Sequence, residues 1–157
     1  MNYPTLEQYN EALQHPQTAL FDPDLKKGLI STTGLGLPLA LCGGFALTYT
    51  ITIGNAKFAV RCFHKQSNAL EHRYSAISNR LKSLQSRYFV DFVFQPQGVR
   101  VNGQSFPIVK MAWASNETLG EFLEGHYRSK IDLQQLNSSL STLASYLEGQ
   151  GSVKCFV

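Results

Sequence analysis

The sequence predicts an α+β domain built on an antiparallel sheet, and three observations predict it. Runs rich in Thr, Tyr, Phe, Val and Ile alternate in the middle of the chain, with two-residue turn signals at Gly54-Asn55 and Asn102-Gly103. Between them, Leu70, Tyr74, Ile77, Leu81 and Leu84 recur at helical spacing and mark one apolar face. A second helical stripe of leucines follows the last strand. Strands, a helix, more strands and then helices make an α+β layout, here a five-stranded antiparallel sheet with one packed helix.

Taken in order, Thr5-Leu6-Glu7-Gln8 reads as a capping box that starts a short helix running to Leu13, and Pro16 ends it. Asp22-Pro23 opens another helical turn, with Pro at the first helical position and Gly28 as its stop. The Gly- and Thr-rich stretch Ile30 to Pro38 reads as a connector. Leu39 to Leu41 is a short strand, Cys42-Gly43-Gly44 a tight turn, Phe45 to Ile53 a strand, and Lys57 to Phe63 its hairpin partner. The helix is expected over Gln66 to Leu84. Tyr88 to Phe94 and Gly98 to Val101 read as two strands, and Asn102-Gly103 turns the chain into a last strand, Ser105 to Trp113. Thr118-Leu119-Gly120-Glu121 is a second capping box, opening a helix to Tyr127. Asp132 is expected to cap the final helix, carrying Leu133, Leu136, Leu140, Leu143 and Leu147.

Composition narrows the function. A chain of 157 residues with 43% hydrophobic and 16% charged residues is long enough for one real core and too apolar for disorder. No apolar run is long enough to span a membrane. Met1 to Glu7 lacks the basic and apolar regions of a signal peptide. Three widely spaced cysteines, Cys42, Cys62 and Cys155, outline neither a zinc site nor a disulfide framework. A reduced, cytoplasmic protein is therefore expected. The net charge of +3 is unevenly spread: Lys57 to Lys110 holds nine basic residues against two acids, Glu71 and Asp91. Such a basic middle attracts phosphate, as nucleotide or as nucleic acid, unless it is only a solvated face.

Four strings resemble the N-terminal lobe of the protein-kinase fold, and together they span Leu39 to Leu147. Cys42-Gly43-Gly44-Phe45-Ala46-Leu47-Thr48-Tyr49 is similar to the glycine-rich loop that covers the ATP phosphates, where glycines let backbone amides approach closely. Aligned on Phe45, the family's second glycine is Gly43, while Leu41 and Ala46 stand where the first and third would be. Phe58-Ala59-Val60-Arg61 resembles the V-A-I-K strand, with Arg61 at the phosphate-binding lysine. The helix window that would hold the partner glutamate, Ala76 to Leu81, contains no acid, and Glu71 comes too early. Phe106 to Ala114, followed by Thr118-Leu119 and Phe122-Leu123, resembles the hinge strand and the helix after it. In that likeness Met111 is the gatekeeper, Ala112 and Ala114 offer hinge carbonyl and amide to adenine, and Trp113 packs under the lobe junction.

The resemblance, which is closest to bacterial kinase-like proteins, implies three parts: an N-terminal helical extension and connector over 1–38, the lobe over 39–114, and helices beginning an incomplete second lobe over 115–157. It implies a nucleotide site at Gly43, Gly44, Phe45, Ala59, Arg61, Met111, Ala112 and Ala114. After the last helix no H-R-D and no D-F-G string occurs, so neither the catalytic aspartate nor a metal ligand is supplied. The implied function is that of a pseudokinase or truncated kinase with weak ATP binding and no phosphate transfer of its own. Its apolar underside implies self-association or a protein partner. The alternative is an interaction module that binds no nucleotide, and a basic nucleic-acid binder ranks below both. His15, His64, His72 and His126 show no metal-ligand spacing. No serine sits in a G-x-S-x-G elbow, and no Walker loop occurs. The aromatic residues Tyr74, Tyr88, Phe89 and Phe92 near Arg73 and Arg87 fit a packed strand better than an RNA platform.

Overall fold

The computed structural model describes residues 2–65 and 69–150. The predicted helix start at Gln66 and the residues from 151 onward, Cys155 among them, lie outside the described residues. The chain divides into two compact units, Met1–Trp113 and Ala114–Val157.

In the first unit, α1 (Leu6–Leu13) starts at Thr5 through the capping box the sequence shows: the Gln8 amide donates to the Thr5 hydroxyl, and the Thr5 amide donates to Gln8 Oε1 at 2.9 Å. Pro16 does not merely end this helix. It occupies the first position of α2 (Pro16–Ala19), where its missing N–H has no partner to lose. Asp22 caps the following 3-10 turn, Leu25–Lys27, and Gly28 closes it.

The sheet has six strands rather than five. The additional strand, β1 (Leu29–Ile30), lies at the start of the stretch read as a connector and pairs with Thr52 and Ile51. Two residues are too short to leave a periodic signal, and only pairing to the next strand defines them. The others are β2 (Ala40–Cys42), β3 (Ala46–Ile53), β4 (Ala56–Phe63), β5 (Phe92–Val101) and β6 (Gln104–Ala112). All pairings are antiparallel, in the order β1-β3-β4-β6-β5, with β2 also on β3. Both predicted two-residue turns form. Gly54 takes φ +57°, and Asn102 and Gly103 take +48° and +78°, the left-handed pair of a type I′ hairpin. The two strands expected on either side of Pro96 are one strand. Its pairing with β6 is interrupted by a register shift between Gln95 and Val99, which accommodates a proline that cannot donate to the ladder. Between β4 and β5 lies α3 (Leu70–Leu84), and its C-terminal end matches the reading.

Alternation gives the sheet two apolar faces. One carries Leu47, Tyr49, Ile51, Val60, Cys62, Val99 and Ile108 against Tyr9, Leu13, Leu20 and Leu25 of the N-terminal segment. Two buried phenols fasten α1 there: Tyr9 donates to the Phe63 carbonyl at 2.7 Å and Tyr49 to Asn10 Oδ1 at 2.8 Å. The other face packs Ala46, Phe63 and Val109 against Leu70 of α3, with Tyr74, Phe92, Phe94 and Met111 around them. The buried Ser78 hydroxyl pins α3 to the edge strand, donating to the Phe92 carbonyl and accepting from the Phe94 amide, both at 3.2 Å.

In the second unit, α4 (Leu119–His126) has its predicted capping box between Thr118 and Glu121. The last helix, α5 (Lys130–Gly149), begins one turn earlier than expected. Ser129 is its cap, and Asp132 sits at the third helical position with its amide bonded to the Ser129 hydroxyl. No residue of α4 or α5 is buried. Among the described residues, no helix is long and apolar enough to cross a membrane.

Candidate nucleotide site

Because β4 alternates, Ala59, Arg61 and Phe63 point to the face that carries α3, while Phe58, Val60 and Cys62 point to the N-terminal helices. Register then fixes their neighbours. Ala59 lies opposite Thr50 on β3 and Met111 on β6, and Met111 lies opposite Phe92. The next row on the same face is Thr48, Arg61, Val109 and Phe94. Ala59, Arg61 and Met111 thus belong to one surface.

The β2–β3 turn overhangs its edge. The Gly43 amide donates to the Ala46 carbonyl at 2.9 Å, closing the turn. His64 holds the tip: its amide donates to the Phe45 carbonyl at 3.1 Å and its Nε2 donates to the Gly43 carbonyl at 3.0 Å. A Cβ at Gly43 would stand 3.1 Å from the Ala46 carbonyl oxygen, so the close backbone approach favours glycine there, whereas Gly44 faces open space. Phe45 is 61% exposed and leans over a cavity of about 270 Å³ lined by Arg61, Phe63, Leu70, Arg73 and Tyr74. Tyr74 meets Phe63 edge-on at 5.0 Å between ring centres, so the floor of this cavity is aromatic.

At the other end of the row, the Ala112 amide donates to the Asp91 carbonyl, and the Trp113 amide donates to the Lys57 carbonyl at 2.9 Å. Trp113 is stacked under the Lys57 ammonium, 4.1 Å from the ring centre. Ala112 pairs with Phe58, so its side chain points to the opposite face from Ala59 and Met111, and only its backbone borders the row. Ala114 belongs to the second unit. The structure therefore brings Phe45 to Arg61 and Ala59 to Met111.

Two residues escaped the sequence reading. His64 is a clamp on the turn, and Arg73 is a second guanidinium in the Arg61 cavity. Arg73 follows Leu70 by three positions on one helix face, a spacing that signals a shared side once the buried position of Leu70 is known. Ser78, inside the window where a glutamate was sought, is committed to β5 and not to Arg61. A larger cavity, about 720 Å³, lies elsewhere, between the end of α3 and β5, and its lining includes Phe58, Leu81, Phe89, Val90 and Phe92. The described residues contain no group of three His, Cys, Asp or Glu side chains suited to a metal ion. Burial pushes the Cys62 thiol well above its ordinary value, which keeps it protonated and unreactive, whereas Cys42 is exposed.

No family model, curated protein or solved structure matches this chain.

Proposed function

We propose that the chain is a kinase-like N-terminal lobe that binds an adenine nucleotide weakly and transfers no phosphate on its own. The observation that carries this reading is the pairing of Ala59 with Met111 in the row next to Arg61, on the face that α3 covers. The strand order supports it: a β2-β3-β4 meander, a helix, and then a hairpin whose second strand, not its first, returns to β4. In this reading Ala59 and Met111 form the flat apolar wall for the purine, the Ala112 carbonyl reads its edge, Gly43 and Gly44 form the turn above it, and Arg61 takes phosphate. The cavity fits a phosphate, since two of its six lining side chains are cationic and none is acidic. For the same reason it offers no carboxylate to a divalent cation.

A thermal-shift titration with ATP tests the reading. At about ten times the dissociation constant, ligand adds about 1.4 kcal/mol. At this chain length that corresponds to a rise of about 3–5 °C. No shift at millimolar ATP, with or without magnesium, overturns nucleotide binding and leaves the interaction module. Radiolabel transfer above about 0.01 per second over a no-protein control would overturn the absence of phosphate transfer. The module reading has one observation of its own, the leucine stripe of α5 with no buried member. Under it, light scattering at about 100 μM reports a dimer or larger species, and a monomer removes self-association.

A further inference from the structure

We infer that Arg61 and Arg73 form a two-arginine site for a phosphate-class oxyanion that needs no divalent cation. The inference deepens the nucleotide reading at the same site, but rests only on its phosphate half.

Arg61 and Arg73 both line the cavity of about 270 Å³ that Phe45 also borders. Arg61 comes from β4 and Arg73 from the first turn of α3, so the two charges are fixed by separate elements. Neither makes an ion pair among the described residues; the pairs found there join Lys110 to Asp22 and Asp24. The nearest acid on α3, Glu71, is exposed and does not line the cavity. The Arg61 Nε is buried and has no hydrogen-bond partner among the described residues. The other walls, Phe63, Leu70 and Tyr74, are apolar or aromatic and lower the local dielectric, which strengthens both repulsion between the arginines and attraction to an anion.

Two like charges beside an open, acid-free cavity are relieved by one ligand, an oxyanion with at least two acceptor oxygens. The planar arginine fork matches phosphate geometry. Since the protein supplies both positive charges, the anion does not need to bring a metal to neutralise it. Phosphate itself, pyrophosphate and the phosphate tail of a nucleotide share this chemistry, and the test separates them.

The test titrates the full chain with sodium pyrophosphate, adenosine and ATP in EDTA, reading melting temperature and heat of binding, on wild type and on Arg73→Glu, Arg73→Lys and Arg61→Lys. Pyrophosphate is expected to stabilise the wild type in EDTA, and Arg73→Glu to lose at least about tenfold in affinity, since a charge reversal removes one contact and adds repulsion. Arg73 is exposed, so the variant keeps its fold. In phosphate-free buffer Arg73→Glu should also melt higher than wild type, because glutamate can pair with Arg61, a shift that a merely structural arginine would not produce. Arg73→Lys and Arg61→Lys retain charge without the fork and should bind with intermediate affinity. Pyrophosphate binding that is absent in EDTA, or unchanged by Arg73→Glu, overturns the inference. Adenosine binding without pyrophosphate binding overturns it while sparing the purine wall, and pyrophosphate binding without adenosine or ATP binding upholds it while the nucleotide reading fails.

Discussion

Asp22→Ala should destabilise the first unit by about 2–3 kcal/mol in urea unfolding at neutral pH. The Asp22 side chain is 9% exposed and accepts from four donors: the Asp24 and Leu25 amides at 3.0 Å, Gln95 Nε2 at 2.7 Å and Lys110 Nζ at 3.1 Å. Alanine leaves the Lys110 ammonium, itself 15% exposed, with the Asp24 carboxylate at 3.6 Å and the Phe58 ring at 5.1 Å. It also removes the cap of the 3-10 turn and the polar tie between the N-terminal segment and β5–β6. The pH dependence has a definite sign. Burial pushes the Asp22 carboxyl up, but the Leu25 amide, Gln95 and Lys110 outweigh it and leave the group below its ordinary value. A carboxyl lowered on folding contributes stability above its unfolded value and loses it as pH falls through the folded one. The gap between wild type and Asp22→Asn should therefore be widest near neutrality and close as pH drops below about 4. A gap that stays constant from neutrality into that range would show that the charge contributes nothing.

Gly98→Ala should cost about 2–3 kcal/mol through overpacking. A Cβ built at Gly98 falls 2.2 Å from Ile108 Cγ1, 2.6 Å from Cδ1 and 3.1 Å from Cβ. Ile108 is fully buried, and its branch point as well as its tip is involved, so a rotamer change does not clear the contact. The Gly98 carbonyl also accepts from the Phe21 amide at 3.1 Å, and Leu20 bridges Val99, so the backbone here is held from the other side as well. Ile108→Ala alone should cost about 2–5 kcal/mol by leaving a cavity. In the double variant the new methyl enters that space, and the combined cost should fall below the sum by about 1 kcal/mol or more. Strict additivity would place the origin of the cost in backbone entropy instead.

Much of the architecture follows from local chemistry that a linear reading reaches. Thr5 with Gln8, Thr118 with Glu121, and Asn102-Gly103 are each self-contained within a few residues, and each does what its pattern implies. The features that differ depend on partners far away in sequence. Leu29-Ile30 is a strand only because β3 is beside it, and Pro96 splits a run into two on paper while a register shift keeps it as one strand. The exchange of Asp132 for Ser129 as the cap of α5 is a local exception, since the Asp132 amide itself donates to the Ser129 hydroxyl. For the candidate site, alternation alone puts Ala59 and Arg61 on one face, and turn residues put Phe45 at a tip. That Met111 lies opposite Ala59 needs the crossover of β6, and that Arg73 joins Arg61 needs the docking register of α3. No local pattern encodes either.

The coat of N-terminal helices on one side of the sheet sets where this protein can be cut. Tyr49, Ile51, Val60 and Ile108 have no water contact because Tyr9, Leu13, Leu20 and Leu25 lie over them. A fragment begun at Leu39, where the kinase-like likeness starts, would bare that oily slab and lose the Asp22 anchor together with it. The leading segment is thus one whole layer of that core, and a recombinant piece lacking it belongs in the inclusion-body pellet rather than in a binding assay.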